Sequence, residues 1–186
     1  FLRLTKRDTA VELGSGTGVI CTLGADDTGA QFTGIERQQR LVELARKSAA
    51  YNRQQIDFLC ADVSDAPELL GRGAFTAAVM NPPHFTSGDK SENPSRSLTR
   101  HDAGDTLDLF LSAAFALVKN GGKLFLIYPA DATAELFSAL KRARFAPKRV
   151  KFVYSKVSGN ALRVLIEAKK GGGPGLVVEP PMIAQG

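Results

Sequence analysis

The fold is decided by one stretch near the start of the chain, Val11-Glu12-Leu13-Gly14-Ser15-Gly16-Thr17-Gly18. The apolar run from Ala10 to Leu13 predicts a short strand, and Val19 to Leu23 has the pattern of a helix. The glycines between them allow a sharp turn and let a ligand come close to the amino end of the helix. Strand, glycine turn and helix in this order are typical of the first unit of an α/β nucleotide-binding sheet.

The spacing of the glycines distinguishes two nucleotide ligands. A dinucleotide-binding turn carries a glycine three positions after its second glycine, where this chain has Val19. Glu12, on the preceding strand, would repel a pyrophosphate but attract the amino group of a cationic ligand such as S-adenosylmethionine. The sequence therefore favours S-adenosylmethionine over NAD, with a glycine turn that binds no ligand as the alternative. The expected contacts are Glu12, Gly14, Ser15, Gly16 and Gly18.

Acidic residues follow the next two predicted strands. The second strand, Gln31 to Ile35, ends at Glu36, whose carboxylate can accept hydrogen bonds from both hydroxyls of a ribose. The third, Ile56 to Cys60, is followed by Asp62 and Val63, which would contact the amino group and the ring of an adenine. Because the carboxyl ends of parallel strands share one edge of a sheet, we expect both acids to lie near the glycine turn.

The fourth predicted strand, Phe75 to Met80, runs into Asn81-Pro82-Pro83-His84. Two consecutive prolines fix two φ angles and remove two backbone donors, so the strand must end there in a rigid corner. At such a corner the side-chain amide of Asn81 and the carbonyl of Pro82 can both accept hydrogen bonds from an exocyclic amine. The sequence thus predicts a clamp for an amine, with Asn81 also touching the cofactor. Simple termination of the strand is the alternative.

A long polar stretch without periodicity, Thr86 to Asp105, follows this corner and is predicted to be either a functional loop or a disordered one. It contains Arg96, Arg100 and His101. Asp105 or Thr106 is expected to cap the next helix. That helix is expected to bury one apolar stripe, Leu107, Phe110, Leu111, Ala114 and Val118.

The last third of the chain predicts a strand over Lys123 to Tyr128, a helix from Asp131 to Arg144, and two more strands. Those two, Arg149 to Tyr154 and Ala161 to Ala168, are joined by a short polar connection typical of an antiparallel hairpin. The prediction is therefore a single α/β domain over residues 1–186, with a Rossmann-like, seven-stranded, mostly parallel sheet closed by an antiparallel pair.

Charge and composition narrow the class of protein. The 186 residues carry a net charge of +5, and the segment from Lys141 to Lys170 holds ten basic residues against one acid, Glu167. A basic face suits a polyanion, although a solvated surface would have the same pattern. The two cysteines, Cys21 and Cys60, have no metal-ligand spacing and are expected to be buried in a reducing compartment, the cytoplasm. We expect no metal, and no run of apolar residues is long enough to span a membrane.

Taken together, the motifs resemble those of the Rossmann-like, class I S-adenosylmethionine-dependent methyltransferases. Val11 to Gly18 is similar to the first motif of that superfamily, and Glu36 and Asp62 to its next two acidic positions. Asn81-Pro82-Pro83-His84 is similar to the motif of its amino-group methyltransferases. Three other segments resemble the bacterial tRNA adenine-N6 methyltransferases that modify valine tRNA: Arg96 with Thr99-Arg100-His101, Leu124 to Pro129, and Arg163 to Gly171.

The resemblance, which covers residues 11–181, implies methyl transfer from S-adenosylmethionine to adenine N6 in tRNA. Asn81 and Pro82 would be the catalytic residues, and His84, where the family has an aromatic residue, or Phe85 would stack on the base. The family also has an N-terminal extension, which we expect to be missing before Phe1. The expected RNA contacts are Arg96, Arg100, His101, Lys148, Arg149 and Lys151.

Two other kinds of function stay open from the sequence. The same clamp could accept a glutamine amide of a protein, a guanine of rRNA or an adenine of DNA, although the basic face favours nucleic acid over a glutamine. A non-catalytic RNA-binding protein could also keep this fold. The intact glycine turn together with Asn81 argues against that second alternative.

Overall fold

The structure, a computed structural model, describes residues 1–83, 100–156 and 158–184, with only the backbone for residues 100–105. The helices and strands are, in order, β1 (Thr9–Leu13), α1 (Val19–Thr28), β2 (Gln31–Glu36), α2 (Gln39–Tyr51), β3 (Asp57–Cys60), α3 (Ala66–Leu70), β4 (Phe75–Met80), α4 (Arg100–Leu117), β5 (Val118–Pro129), a 3-10 turn (Ala130–Ala132), α5 (Thr133–Arg142), β6 (Phe145–Tyr154), β7 (Arg163–Lys170), β8 (Val177–Val178) and β9 (Met182–Ile183).

These strands form one twisted sheet in the order β3-β2-β1-β4-β5-β7-β6-β8, with β9 also paired to β6. The first five strands are mutually parallel, and β7 alone runs antiparallel to its neighbours β5 and β6. This arrangement confirms the predicted class, a Rossmann-like α/β fold closed by an antiparallel hairpin. The described part of the chain has nine strands rather than seven, because β8 and β9 were not predicted.

Helices cover both faces of the sheet and bury two apolar clusters. On one face α1 and α2 contribute Cys21, Val42 and Ala45, which belong to the same cluster as Phe32 and Phe58 of the sheet. On the other face the part of the predicted stripe that lies in α4 is buried together with residues of α5, and Val118, the last residue of that stripe, is buried at the start of β5. In α2 the buried residues are Val42, Ala45 and Ala49, whereas Leu44 is exposed.

The segment between β4 and β5 differs from its prediction at both ends. Helix α4 begins at Arg100, within the predicted loop and ahead of the expected cap at Asp105 or Thr106. It ends at Leu117, and β5 starts at Val118, earlier than the predicted Lys123. Residues around Gly121 form an irregular part of this strand, and Gly121 has a φ of +73°. A glycine in this conformation is typical of a turn, which is why the sequence predicted a later start for β5.

Candidate active site

The chain reverses the order of its strands between β1 and β4, and open α/β sheets bind ligands at such a point. Leu13, the last residue of β1, pairs with Ile35 on one side and with Met80, the last residue of β4, on the other. The turn that begins at Gly14 therefore lies beside Asn81, which follows Met80. The structure brings the two predicted motifs to one place on the carboxyl edge.

The glycines of the turn differ in what surrounds them. Gly14, Gly16 and Gly18 have φ values of +71°, +54° and +78°, a region that favours glycine. A Cβ atom on Gly18 would lie 2.7 Å from Cζ of Phe58 and 3.0 Å from Cβ of Ala45. A Cβ atom on Gly16 would meet no atom within 4 Å. Gly18 thus packs α1 against its neighbours, whereas Gly16 borders open space that a ligand could fill.

Glu36 fixes the shape of this turn. Its Oε2 atom accepts a hydrogen bond from the backbone N–H of Gly16 at 3.1 Å, and its Oε1 atom accepts one from Gln38 at 2.9 Å. The backbone N–H of Ser15 donates to the carbonyl of Ile35 at 2.8 Å, which ties the turn to β2. Each carboxylate oxygen can accept a second hydrogen bond, so Glu36 keeps capacity for two hydroxyl groups.

The side chain of Ser15 carries an unpaired polar atom. Its Oγ is buried and has no hydrogen-bond partner among the described residues. Buried hydroxyls are rarely left without a partner, and this one lies beside β2, since a Cβ atom on Gly34 would be 2.8 Å from it. The place where a bound nucleoside fits is therefore the open space at Gly16, beside the lone pairs of Glu36 that remain free.

Glu12 is a buried carboxyl group just below the turn. Its side chain is only 2% exposed, and its Oε2 accepts the backbone N–H of Cys21 at 2.9 Å. Burial raises its pKa to about 7, hydrogen bonds from Cys21 oppose the rise, and the nearby charge of Glu36 adds to it. The group therefore exchanges its proton near neutral pH and responds to any charge placed in the site.

Asp62, the third predicted acid, follows the end of β3 and is exposed, unlike Glu12 and Glu36. Its Oδ1 accepts hydrogen bonds from the N–H and the hydroxyl of Ser64, which lower the pKa of Asp62. Val63 is only 7% exposed and packs in the core, which leaves little of its side chain to meet a ring. Cys60 is exposed, contrary to prediction, and its thiol lies 3.5 Å from the carbonyl of Arg37.

Asn81 and Pro82 lie directly after the last pair of β4 residues, and Asn81 is exposed while Pro82 is buried. The prediction that the strand ends at this corner is confirmed. The predicted base-stacking residues His84 and Phe85, and the predicted RNA contact Arg96, lie outside the described residues. Arg100 and His101 are in the first turn of α4, where the structure describes only the backbone.

Arg149 is not a surface residue, which corrects the prediction that it contacts RNA. Its side chain is 8% exposed and forms ion pairs with Glu167 and with Glu179, the second at 2.7 Å. It also donates to the carbonyl of Phe1 and lies 4.5 Å from the centre of the Phe1 ring. The guanidinium thus joins the amino end of the chain and the segment of β8 to the sheet, with its donors used inside the protein.

The other basic residues of the last third are divided between two edges of the sheet. Because β6 runs parallel to β5, Lys148 lies toward the amino edge of the sheet. Lys151, further along β6, forms an ion pair with Glu179 at 3.1 Å. Lys156 and Arg163 are exposed on the hairpin between β6 and β7, and Arg163 pairs with Pro129 at the carboxyl end of β5. These two are the described cations of the hairpin nearest the site, and sequence reasoning did not single them out because strand direction decides their edge.

Across the three described ranges, no group of three or more His, Cys, Asp or Glu residues could hold a metal ion. No helix in the same ranges is long and apolar enough to cross a membrane.

Comparison with known proteins agrees with this geometry. Residues 10–101 match a family described as a methyltransferase domain. A tRNA1(Val) (adenine(37)-N6)-methyltransferase of Phocaeicola vulgatus is 26% identical over 159 residues, which are 86% of this chain and 68% of that protein. The corresponding protein of Shewanella amazonensis is 33% identical over 103 residues, which are 54% of this chain and 44% of that protein.

Among solved structures, a predicted O-methyltransferase from Agrobacterium tumefaciens superposes with a TM-score of 0.74 and 25% identity, covering 95% of this chain and 80% of that one. The fold, the glycine turn and these similarities define the chain as a class I S-adenosylmethionine-dependent methyltransferase domain. Within that class it resembles the tRNA1(Val) (adenine(37)-N6)-methyltransferases, of whose length it spans 44% to 68% in the two relatives above.

Proposed function

We propose that this protein transfers a methyl group from S-adenosylmethionine to the exocyclic N6 amine of an adenine in RNA, most specifically in tRNA. The observation that carries the proposal is the pairing of Leu13 with Met80, which sets Asn81 beside the turn that starts at Gly14. An amide acceptor next to a cofactor turn is what amine methylation needs. The similarity to adenine-N6 methyltransferases of tRNA supports the choice of base.

The cofactor would lie along the carboxyl edge, over the glycine turn. Glu36 would accept the ribose hydroxyls with the lone pairs that Gly16 and Gln38 leave free, and Asp62 would accept the adenine amino group. Ionised Glu12 would attract the amino group of the methionine end, directly or through water. The open space at Gly16 supports this placement.

Asn81 and the carbonyl of Pro82 would hold the two protons of the target amine. The lone pair of that nitrogen is delocalised into the ring, and two hydrogen bonds from its protons favour a pyramidal geometry that frees the lone pair. S-adenosylmethionine supplies the methyl group when bound: the bond from carbon to sulfur would break as the bond to N6 forms, the thioether S-adenosylhomocysteine would leave, and the alkylated nitrogen would release one proton to solvent. Catalysis in this scheme comes from alignment and from acceptors placed for developing positive charge, without a strong base.

RNA would approach the same edge. Lys156 and Arg163, both exposed on the hairpin beside the end of β5, would meet phosphates next to the flipped adenine. His84 or Phe85 would stack on the base, a contact worth roughly 1–3 kcal/mol in other readers of nucleic acid. Arg96, Arg100 and His101 remain candidates for further RNA contacts, whereas Arg149 does not, since its charge is used within the protein.

The experiment that tests this function offers labelled S-adenosylmethionine with three acceptors: unmodified tRNA, a DNA oligonucleotide and a glutamine-containing peptide. We expect label in tRNA alone, recovered as N6-methyladenosine after digestion to nucleosides, with a rate that falls as salt rises. Label in the peptide would overturn the proposal in favour of a protein glutamine amide. Label in a guanine nucleoside would overturn the choice of base.

A further inference from the structure

A second basic site lies at the amino edge of the sheet, away from Asn81. It is a cleft of about 470 Å³ formed by the ends of β6 and β7 and by the irregular start of β5. Lys148, Lys169 and Lys170 line it, beside the backbone of Asn120–Gly121 and Gly171–Gly173. The lining includes no acidic residue. This combination of ammonium groups and glycine backbone is suited to an anion.

Two of the three lysines are held in place by the protein itself. Lys148 donates to the carbonyls of Gly173 and Pro174 and so fixes the glycine segment. Lys170 donates to the carbonyls of Phe115 and Val118 at 2.6 Å and 2.7 Å, at the end of α4. The bonds of Lys148 leave its positive charge at the cleft, because carbonyl dipoles do not neutralise an ammonium group, whereas the ammonium group of Lys170 lies at the end of α4, 4.2 Å from the centre of the Phe115 ring.

Lys169 is different, since it is exposed and its ammonium group has no partner among the residues that the structure describes. Gly172 lies between its stem and that of Lys148. A Cβ atom on Gly172 would be 3.1 Å from Cβ of Lys169 and 3.2 Å from Cε of Lys148. The absence of a side chain at this position is what allows the two lysines to stand close together. A Cβ atom on Gly121 would be 3.5 Å from Cε of Lys169, so the end of this side chain reaches the β5 side of the cleft.

We propose that this cleft binds a backbone phosphate of the RNA substrate, and that Lys169 is its main contact. The inference rests on the proposed function for the identity of the polyanion. Strands advance by about 3.3 Å per residue, so the cleft near Gly121 lies roughly 20 Å from the level of Asn81 along the sheet. An RNA as large as tRNA can span that distance, and a short oligonucleotide around the target adenine cannot.

The test measures the dissociation constant of unmodified tRNA as a function of salt for the wild-type protein and for Lys169→Gln. Lys47→Gln is the matched control, because Lys47 is an exposed lysine on α2, on another part of the surface. Loss of one phosphate contact should reduce the salt slope by about 0.7–0.9 and weaken binding roughly fivefold at 0.1 M salt. Lys47→Gln should leave both quantities unchanged. Equal effects of the two variants, or none from Lys169→Gln, would overturn the proposal.

Two further binding measurements test where the site lies and what it binds. One uses a short oligonucleotide, and the other uses inorganic phosphate as a competitor. A short oligonucleotide should bind Lys169→Gln as tightly as it binds the wild type, and an equal loss with that probe would overturn the placement. Inorganic phosphate at a few millimolar should not compete with tRNA more than chloride of equal ionic strength does. Strong competition by inorganic phosphate would assign the cleft to free phosphate. Because every readout is binding, the result stands whether or not the RNA is methylated.

Discussion

The backbone N–H of Cys21 donates to the Oε2 atom of Glu12 at 2.9 Å, which joins the first helix to the first strand beneath the glycine turn. The same carboxyl group is buried, and its pKa is raised to about 7. The site thus holds one acid that loses its proton within the range of cellular pH. Two measurable consequences concern stability and cofactor affinity.

The first prediction is that the free protein becomes less stable as pH rises from about 5 to 7. Glu12 has its ordinary pKa of 4.5 in the unfolded chain and about 7 in the folded one, so the folded state binds the extra proton in this window. The stabilisation is full below pH 4.5 and is lost as pH passes 7, with a total of about 3 kcal/mol. Urea unfolding of the wild type and of Glu12→Gln, which keeps an acceptor for Cys21, measures it. Parallel stability curves for the two proteins would contradict the assignment.

The second prediction is that S-adenosylmethionine binds more tightly as pH rises through 7. The amino group of S-adenosylmethionine would favour the ionised form of Glu12. Below pH 7 the carboxyl group of Glu12 is protonated and must lose its proton when the cofactor binds, which weakens binding. The dissociation constant, measured by calorimetry from pH 6 to 8, should fall and then level off. Glu12→Gln should bind more weakly at pH 8 and lose the pH dependence. A wild-type affinity that is constant across this range would contradict a role of Glu12 in cofactor binding.

The third prediction separates two glycines of one turn. Gly18→Ala should mainly lower stability, because its Cβ would press on Phe58 and Ala45. Gly16→Ala should cost only the strain of a left-handed residue, about 1–2 kcal/mol, but should abolish cofactor binding by filling the open space. Thermal unfolding with and without S-adenosylmethionine distinguishes the two. An alanine at position 16 that leaves the cofactor shift in Tm intact would place the cofactor elsewhere.

The fourth prediction concerns the buried cation of β6. Arg149→Gln should lower the free energy of unfolding, because the buried guanidinium is the ion-pair partner of Glu167 and also joins Glu179 and the carbonyl of Phe1 to the sheet. Arg3→Gln, which breaks an ion pair to the same Glu179 from an exposed side chain, should lower the stability much less than Arg149→Gln does. Chemical unfolding measures both. If folded Arg149→Gln lost more RNA affinity than Arg3→Gln, the result would show that Arg149 contacts RNA and would contradict this prediction.

The strands that build the site could be predicted because buried parallel strands form continuous apolar runs bounded by turn residues. The first four begin and end within one residue of their expected bounds, as Phe75–Met80 does without any shift. Since the ligand edge follows from where such strands end, the meeting of Gly14 and Asn81 could also be expected. The hydrogen bond from Gly16 to Glu36 could not be predicted from the sequence, because it depends on the conformation of the turn.

The last part of the chain was harder to predict because tertiary contacts decide it. β8 and β9 have two residues each, are exposed and carry no periodic pattern; Glu179, which follows β8, is held by Arg149. From sequence, Arg149 is one cation in a basic run, and only the fold shows that it is buried. The positions of Lys156 and Lys169 also depend on the fold. They lie at opposite edges of the sheet because β6 and β7 run in opposite directions.

The central claim is that Asn81 aligns the target amine and does not serve chiefly to hold the cofactor. The direct test compares wild type, Asn81→Ala and the control Asn52→Ala, whose side chain caps α2 far from the site. For each protein, one measures the rate of methyl transfer to unmodified tRNA and the dissociation constant of S-adenosylmethionine. We predict a roughly 100-fold lower rate for Asn81→Ala with a nearly unchanged dissociation constant, and no effect of Asn52→Ala. A wild-type rate for Asn81→Ala, or a cofactor affinity that falls as much as the rate, would contradict the account.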